Sequence, residues 1–239
     1  AAAEEGGCPI ILQAGPKFRE TLPVTISGLM FRTLGAAASV PVVAHIDHAK
    51  SIDECRAGID AGFTSVMYDG SALPVEDNIA ASRAVVDLAH RHGVSVEAEI
   101  GFVGYHSGAG SQMTDPGEAG RLASESGCDA LAISIGNVHL QTDAMAKIDL
   151  GRLAEIEAVT DCPLVIHGAS GVPADMRRHL ALNSAICKFN VGTELRQTFG
   201  AALRQTLADA PDMFDRGQIL RATKPALTAM AAEVMRNFI

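Results

Sequence analysis

Three histidines of this chain stand where short apolar runs end. His48 closes Val42-Val43-Ala44-His45-Ile46-Asp47-His48, His139 follows Ile133-Ser134-Ile135-Gly136-Asn137-Val138, and His167 follows Leu164-Val165-Ile166. Runs of this kind read as buried parallel strands, whose C-terminal ends converge on one rim of a barrel or sheet. A catalytic zinc takes three protein ligands and keeps one position open. A lone histidine at a strand end is more often a satisfied structural residue, but three on three strands of one series converge by geometry. His48, His139 and His167 are therefore the expected ligands, with His45 orienting a neighbour from behind them. The spacing is not that of a zinc finger, whose ligands come in short local pairs. Asp47, between the histidines, suits two roles equally: a hydrogen bond to a ligand imidazole, or general acid/base work on a substrate hydroxyl.

A second constellation is shaped for phosphate. Gly168-Ala169-Ser170-Gly171 follows the strand that delivers His167 and opens a helix at Val172-Pro173, and Asn190-Val191-Gly192-Thr193 ends the next strand and opens another. Backbone N–H groups at helix N-termini bind anions, and loops after the last two barrel strands are a usual phosphate cradle. One glycine-rich turn is a weak signal; two adjacent ones beside a metal histidine are stronger. Carboxylates complete the rim. Asp69 closes Met67-Tyr68-Asp69-Gly70, and Glu97 and Glu99, two residues apart, share one face of their strand. A buried carboxylate needs a partner, which a metal or an inward Lys188 would supply. Lys188 also raises a metal-free Schiff-base mechanism, though beside three rim histidines the ion-pair role is favoured.

The elements that must position these residues alternate along all 239 residues. Strands are expected at 9–13, 42–45, 65–69, 95–100, 130–135, 163–167 and 185–191. Amphipathic helices are expected at 52–61, 75–92, 116–126, 150–160, 173–182, 193–208 and about 225–238. Ser51 with Glu54 reads as a capping box, Asp115-Pro116 as a helix start, and Gly62, Gly93 and Gly127 as helix ends. Seven β/α units in one series, without linkers, favour a single α/β domain over residues 1–239: a (β/α)8 TIM barrel whose first β/α unit is missing from this chain. An open or seven-stranded variant is the alternative. The residues before Pro9 read as the tail of a helix.

Composition narrows the partners. A formal net charge of −9 offers no basic stripe for nucleic acid, and 4 % aromatics with no Trp weaken base or sugar stacking. No apolar run is long enough to span a bilayer, and no signal peptide is visible. The five cysteines are scattered and unpaired in sequence, which reads as reduced thiols in a cytoplasmic protein.

In their order and spacing, these motifs resemble the class II, zinc-dependent ketose-bisphosphate aldolases, especially the tagatose/fructose-bisphosphate subgroup. The similarity runs from about Pro9 to the C-terminus. It is carried by His45-x-Asp47-His48, Ala61-Gly-Phe-Thr-Ser-Val-Met-Tyr-Asp69-Gly-Ser71, Val94-Ser-Val-Glu97-Ala-Glu99, Thr114-Asp-Pro, Ile148-Asp-Leu-Gly-Arg-Leu, Leu164-Val-Ile-His167-Gly-Ala-Ser170-Gly171 and Asn190-Val-x-Thr193. The resemblance implies zinc on His48, His139 and His167, with an additional monovalent cation, and Asp47 as acid/base at the oxygen of the fourth sugar carbon. It implies that Gly168, Ser170, Asn190 and Thr193 hold dihydroxyacetone phosphate, and that Asp69 and Glu99 surround an inner metal site. The implied reaction is reversible cleavage of a phosphorylated ketose to dihydroxyacetone phosphate and an aldehyde, in a homodimer or homotetramer. Alternatives are a zinc lyase or isomerase on a related phosphorylated sugar acid, and a non-catalytic paralogue that binds metal and phosphate.

Three positions depart from the family. Leu140 replaces the glycine that usually follows the second zinc histidine, where the backbone serves phosphate and a monovalent cation. Residues 101–114 contain no acid, where the family carries a proton-exchanging glutamate; either Tyr105 or His106 substitutes, or the proton acceptor is a different group, or loop residues are missing from this chain. The active-site asparagine of the family's first β/α unit is also missing.

Overall fold

The computed structural model describes residues 1–104 and 111–238. Seven parallel strands form one sheet in sequence order: β1 (Ile10–Ala14), β2 (Val42–Ala49), β3 (Ser65–Tyr68), β4 (Ser95–Ile100), β5 (Ala130–Ile133), β6 (Leu164–Ile166) and β7 (Ile186–Phe189). A short helix α1 (Ala2–Gly6) leads into β1, as the N-terminal residues suggested. Helices α2 (Pro16–Thr21) and α3 (Val24–Ala37) join β1 to β2. Single helices then cross from each strand to the next: α4 (Ile52–Asp60), α5 (Val75–His90), α6 (Pro116–Ser126), α7 (Leu150–Glu157) and α8 (Ala174–Asn183). Two helices, α9 (Thr193–Asp209) and α10 (Arg216–Arg236), follow β7 and pack on each other.

Local signals set most of these boundaries. The Ser51 hydroxyl accepts the Glu54 N–H at 3.2 Å, and Asp115 accepts that of Glu118 at 3.0 Å with Pro116 just inside the helix. The outward face of each strand packs on the helices. Leu131, Ile133, Leu164 and Ile166 are fully buried there, along with Leu122 of α6 and Ile156 of α7. Each such side chain contributes about 1.5–3 kcal/mol. Among the described residues no helix is long and apolar enough to cross a membrane.

The sheet curls strongly. Strands β4 and β7 are separated by two others, which in a flat sheet would hold them about 14 Å apart. Yet Lys188 Nζ on β7 lies 2.8 Å from Glu97 Oε2 on β4. Glu97 and Glu99 thus face a concave inner side with Lys188, in its expected ion-pair place. Among the described residues the ladders run from β1 to β7 and none joins β7 to β1. The structure therefore shows a curled seven-stranded parallel sheet, consistent with the expected barrel lacking its first β/α unit.

Several boundaries correct the sequence reading. Strand β2 runs on to Ala49 past a register shift between Ile46 and Ala49. Strand β5 stops at Ile133, and α10 begins at Arg216 with Pro225 inside it rather than at its start. Helices α2 and α3 were not expected.

Candidate active site

Strict alternation along β2 would send Asp47 and His48 to opposite faces. The bulge prevents this. His48 adopts φ 51, the left-handed region, and both side chains end on the inner side. Arg19 of α2 braces the distortion: its Nη1 donates to the carbonyls of Ala14 and Asp47, each at 2.6 Å, and its Nη2 to that of His48 at 3.3 Å. The Asp47 carboxylate accepts from Gln13 Nε2 at 2.9 Å and Asn190 Nδ2 at 3.2 Å, so β1 and β7 position it together.

The loop after β5 brings in His139, and His167 follows β6 directly. Buried Asn137 stitches the two together, its Nδ2 donating to the carbonyls of Ile133 at 3.3 Å and His167 at 3.0 Å. The ring centres of His48, His139 and His167 lie 4.7, 5.5 and 5.8 Å apart, and one nitrogen of each falls within 4.8 Å of the others. His167 is fully buried. Its Nε2 pairs with Glu97 Oε1 at 2.8 Å, while its Nδ1 is buried with no hydrogen-bond partner. A carboxylate fixing one imidazole nitrogen and leaving the other bare is the usual setting of a metal ligand. His45 lies behind the trio, with Nδ1 2.8 Å from Ser65 Oγ and Nε2 3.6 Å from Glu97 Oε2. It lies against the same carboxylate as His167, though its Nε2 makes no hydrogen bond.

A second donor group, His48, Asp69 and Glu99, also falls within 4.8 Å. Asp69 Oδ2 meets His48 Nδ1 at 2.8 Å and Lys50 Nζ at 2.5 Å, and Asp69 Oδ1 accepts from Ser71 Oγ at 2.6 Å. The buried charges are sharply divided. Burial would raise Asp69, but His48, Lys50 and Ser71 hold it well below the carboxylate range. Burial would raise Glu97 too, but Lys188 and His167 hold it low. Glu99, with less compensation, is pushed up to about 8 by burial and the neighbouring Asp69. Burial and the other two rings lower His139 to about 3. A neutral imidazole is the form that offers a lone pair to a metal.

On the phosphate side, Gly168 has φ 63, and a Cβ there would sit 2.4 Å from the Val138 carbonyl, so glycine is required on both counts. The next residues form a 3-10 turn, Ala169–Gly171. Ser170 Oγ accepts the N–H groups of Gly192, Thr193 and Glu194 at 3.3, 3.1 and 3.4 Å, binding this loop to the first turn of α9. Thr193 opens that helix, whereas Asn190 sits nearer Asp47. Leu140 takes φ 56 despite its side chain, so the backbone conformation suited to a glycine is present. Phe102 and Gln112 exchange both backbone hydrogen bonds at the base of the acid-free loop. Tyr105 and His106 lie outside the described residues. Sequence reasoning missed Gln13, Arg19, Asn137 and Arg177; none carries a motif, because each acts on a carboxylate or backbone carbonyl brought near only by folding.

Comparison with known proteins identifies the family. The family profile for fructose-bisphosphate aldolase class-II matches residues 1–239. A 6-phospho-5-dehydro-2-deoxy-D-gluconate aldolase of Bacillus licheniformis is 38% identical over 99% of this chain and 83% of its own length. A fructose-bisphosphate aldolase of Geobacillus stearothermophilus is 37% identical over 100% and 85%. The crystal structure of the YdjI aldolase from Escherichia coli superposes with a TM-score of 0.83 at 30% identity, covering 99% of this chain and 84% of that one. The chain belongs to the class II fructose-bisphosphate aldolase family.

Proposed function

We propose that this protein is a zinc-dependent aldolase that reversibly cleaves a phosphorylated ketose to dihydroxyacetone phosphate and an aldehyde. Its working form in this reading is a cytoplasmic homodimer or homotetramer built on a single (β/α)8 barrel domain. The observation that carries the proposal is the histidine trio, with the buried Nδ1 of His167, which makes no hydrogen bond, beside Asp47 and the Gly168–Ser170 loop. The donor set fits the metal: three nitrogens within 4.8 Å leave room for an open position. His48, His139 and His167 would hold the zinc, Asp69 and Glu99 would surround an inner site, and the Leu140 backbone would serve the monovalent cation. When bound, zinc supplies Lewis-acid polarisation of the ketose carbonyl.

The chain's own groups do the rest. The N–H groups of α9's first turn, now on Ser170 Oγ, receive the phosphate with Gly168, Ser170 and Thr193. Asn190 and Gln13 aim the Asp47 carboxylate, which takes the proton from the hydroxyl on the fourth carbon as the bond to the third carbon breaks. Proton return to the triose fragment falls to the acid-free segment 101–114, in which Tyr105 or His106 would act.

The names of the relatives give the first substrates to try. Fructose bisphosphate, 6-phospho-5-dehydro-2-deoxygluconate and a set of ketose monophosphates are incubated with protein, with and without EDTA and added zinc. The expected outcome is release of dihydroxyacetone phosphate from at least one, abolished by EDTA and restored by zinc. Activity indifferent to EDTA would sink the zinc reading. Rearranged sugar without triose phosphate would indicate an isomerase. Metal and phosphate binding without turnover would indicate the non-catalytic paralogue, which the missing loop acid keeps in play.

A further inference from the structure

The phosphate cradle is held together by a side chain that touches none of the reacting groups. Arg177 of α8 is 3% exposed. Its Nε donates to the Val172 carbonyl at 2.8 Å and its Nη2 to the Ser170 carbonyl at 3.1 Å. The far edge of the guanidinium grips Glu194 of α9, with Nη1 to Oε1 at 2.9 Å and Nη2 to Oε2 at 3.4 Å. A buried arginine is costly unless its donors are satisfied, and here each nitrogen has an acceptor.

Glu194 is the second residue of α9. A carboxylate there is drawn to the helix N-terminus, where it competes with any anionic ligand for the same N–H groups and repels a phosphate dianion. The same N–H groups that meet Ser170 Oγ include that of Glu194. One guanidinium therefore performs two tasks. It fixes the Ser170 loop against α9, and it neutralises the one carboxylate in that turn.

We propose that Arg177 is a positioning residue for phosphate, pre-forming the cradle and cancelling the charge of Glu194 within it. The inference rests on reading the Ser170 loop and α9 N-terminus as the phosphate site. It predicts a specific pattern rather than a general loss of stability. R177M removes both the fork and the charge. E194Q keeps an oxygen for Arg177 while removing the repulsion, and R177K keeps the charge without the fork.

The test is calorimetric titration of the whole protein with inorganic phosphate, beside steady-state kinetics and zinc content. We expect R177M to weaken phosphate binding by at least about tenfold, the scale of one lost charge-assisted contact. KM for the phosphorylated ketose should rise in parallel, with kcat and zinc content little changed. R177K should fall between R177M and wild type. E194Q should bind phosphate more tightly than wild type, and R177M/E194Q should recover part of the loss. E194Q and R177K keep the test open if R177M does not fold. Folded R177M with wild-type phosphate affinity overturns the proposal. So does E194Q that gains nothing, or a double variant no better than R177M. Wild-type protein that turns over ketose but binds no phosphate overturns the cradle reading itself.

Discussion

Asp47 is held between two neutral amides from opposite ends of the sheet, a setting that aims a carboxylate without neutralising it. Burial would raise its protonation point, but the charged groups around it, His48 first, lower it, so its carboxylate is held ionised. Asp47→Ala should lower retro-aldol turnover by roughly 10²–10⁴-fold with zinc content unchanged; loss of zinc would instead give Asp47 a ligand-orienting task. His45 makes a prediction about stability. Burial first and Lys188 second lower it to about 4 from an unfolded value of 6.5, so it is neutral in the fold. Its contribution is complete above pH 6.5 and is lost as pH falls toward 4, a change on the order of 3 kcal/mol. Urea unfolding at pH 7 and pH 4.5 should show wild type losing more stability than His45→Gln; equal losses would contradict the assignment. The histidines and Asp47 were legible because residue type and strand end coincide in the sequence. Gln13, Asn137 and Arg177 were not, since their partners, the Asp47 and Glu194 carboxylates and backbone carbonyls, come within reach only on folding.

At the level of elements, the seven strands were readable from their apolar runs, but the bulge in β2 was not, because alternation says nothing of an extra residue until a partner strand counts it. Helix α3 escaped for a different reason. It buries Ser27, Gly28 and Phe31 while Ile26, Leu29 and Leu34 are more than half exposed, inverting the pattern by which an amphipathic helix is recognised. Its small residues are needed at the contact: a Cβ on Gly28 would lie 2.4 Å from the Ala61 carbonyl. The loop that carries Ser170 depends on the same kind of closeness. Gly168→Ala must accept a left-handed φ and a contact with the Val138 carbonyl, and should cost about 1–3 kcal/mol. It should also weaken inorganic phosphate binding by moving Ser170; a variant with unchanged stability and phosphate affinity would show that the loop relaxes freely.

Across the whole molecule, the inner face is where the curled sheet meets itself. Glu97 is shared by His45, His167 and Lys188, three residues on three other strands or their ends. Lys188→Met strands a buried carboxylate and should destabilise the fold by about 3–5 kcal/mol, with E97Q/K188M recovering much of it; equal losses in single and double variants would mean that the pair carries no coupling. The sequence announced both residues, and only the curl explains why they touch. That curl also governs how the chain acquires its structure. The Asn190–Asp47 bond closes over 143 residues, and Glu97 meets its lysine partner only when β7 arrives. A nascent chain that ends after β6 leaves the buried Glu97 with imidazole partners alone and without its lysine. The sheet should therefore form late and all at once, slowly for its size because its decisive pairings are the most remote ones.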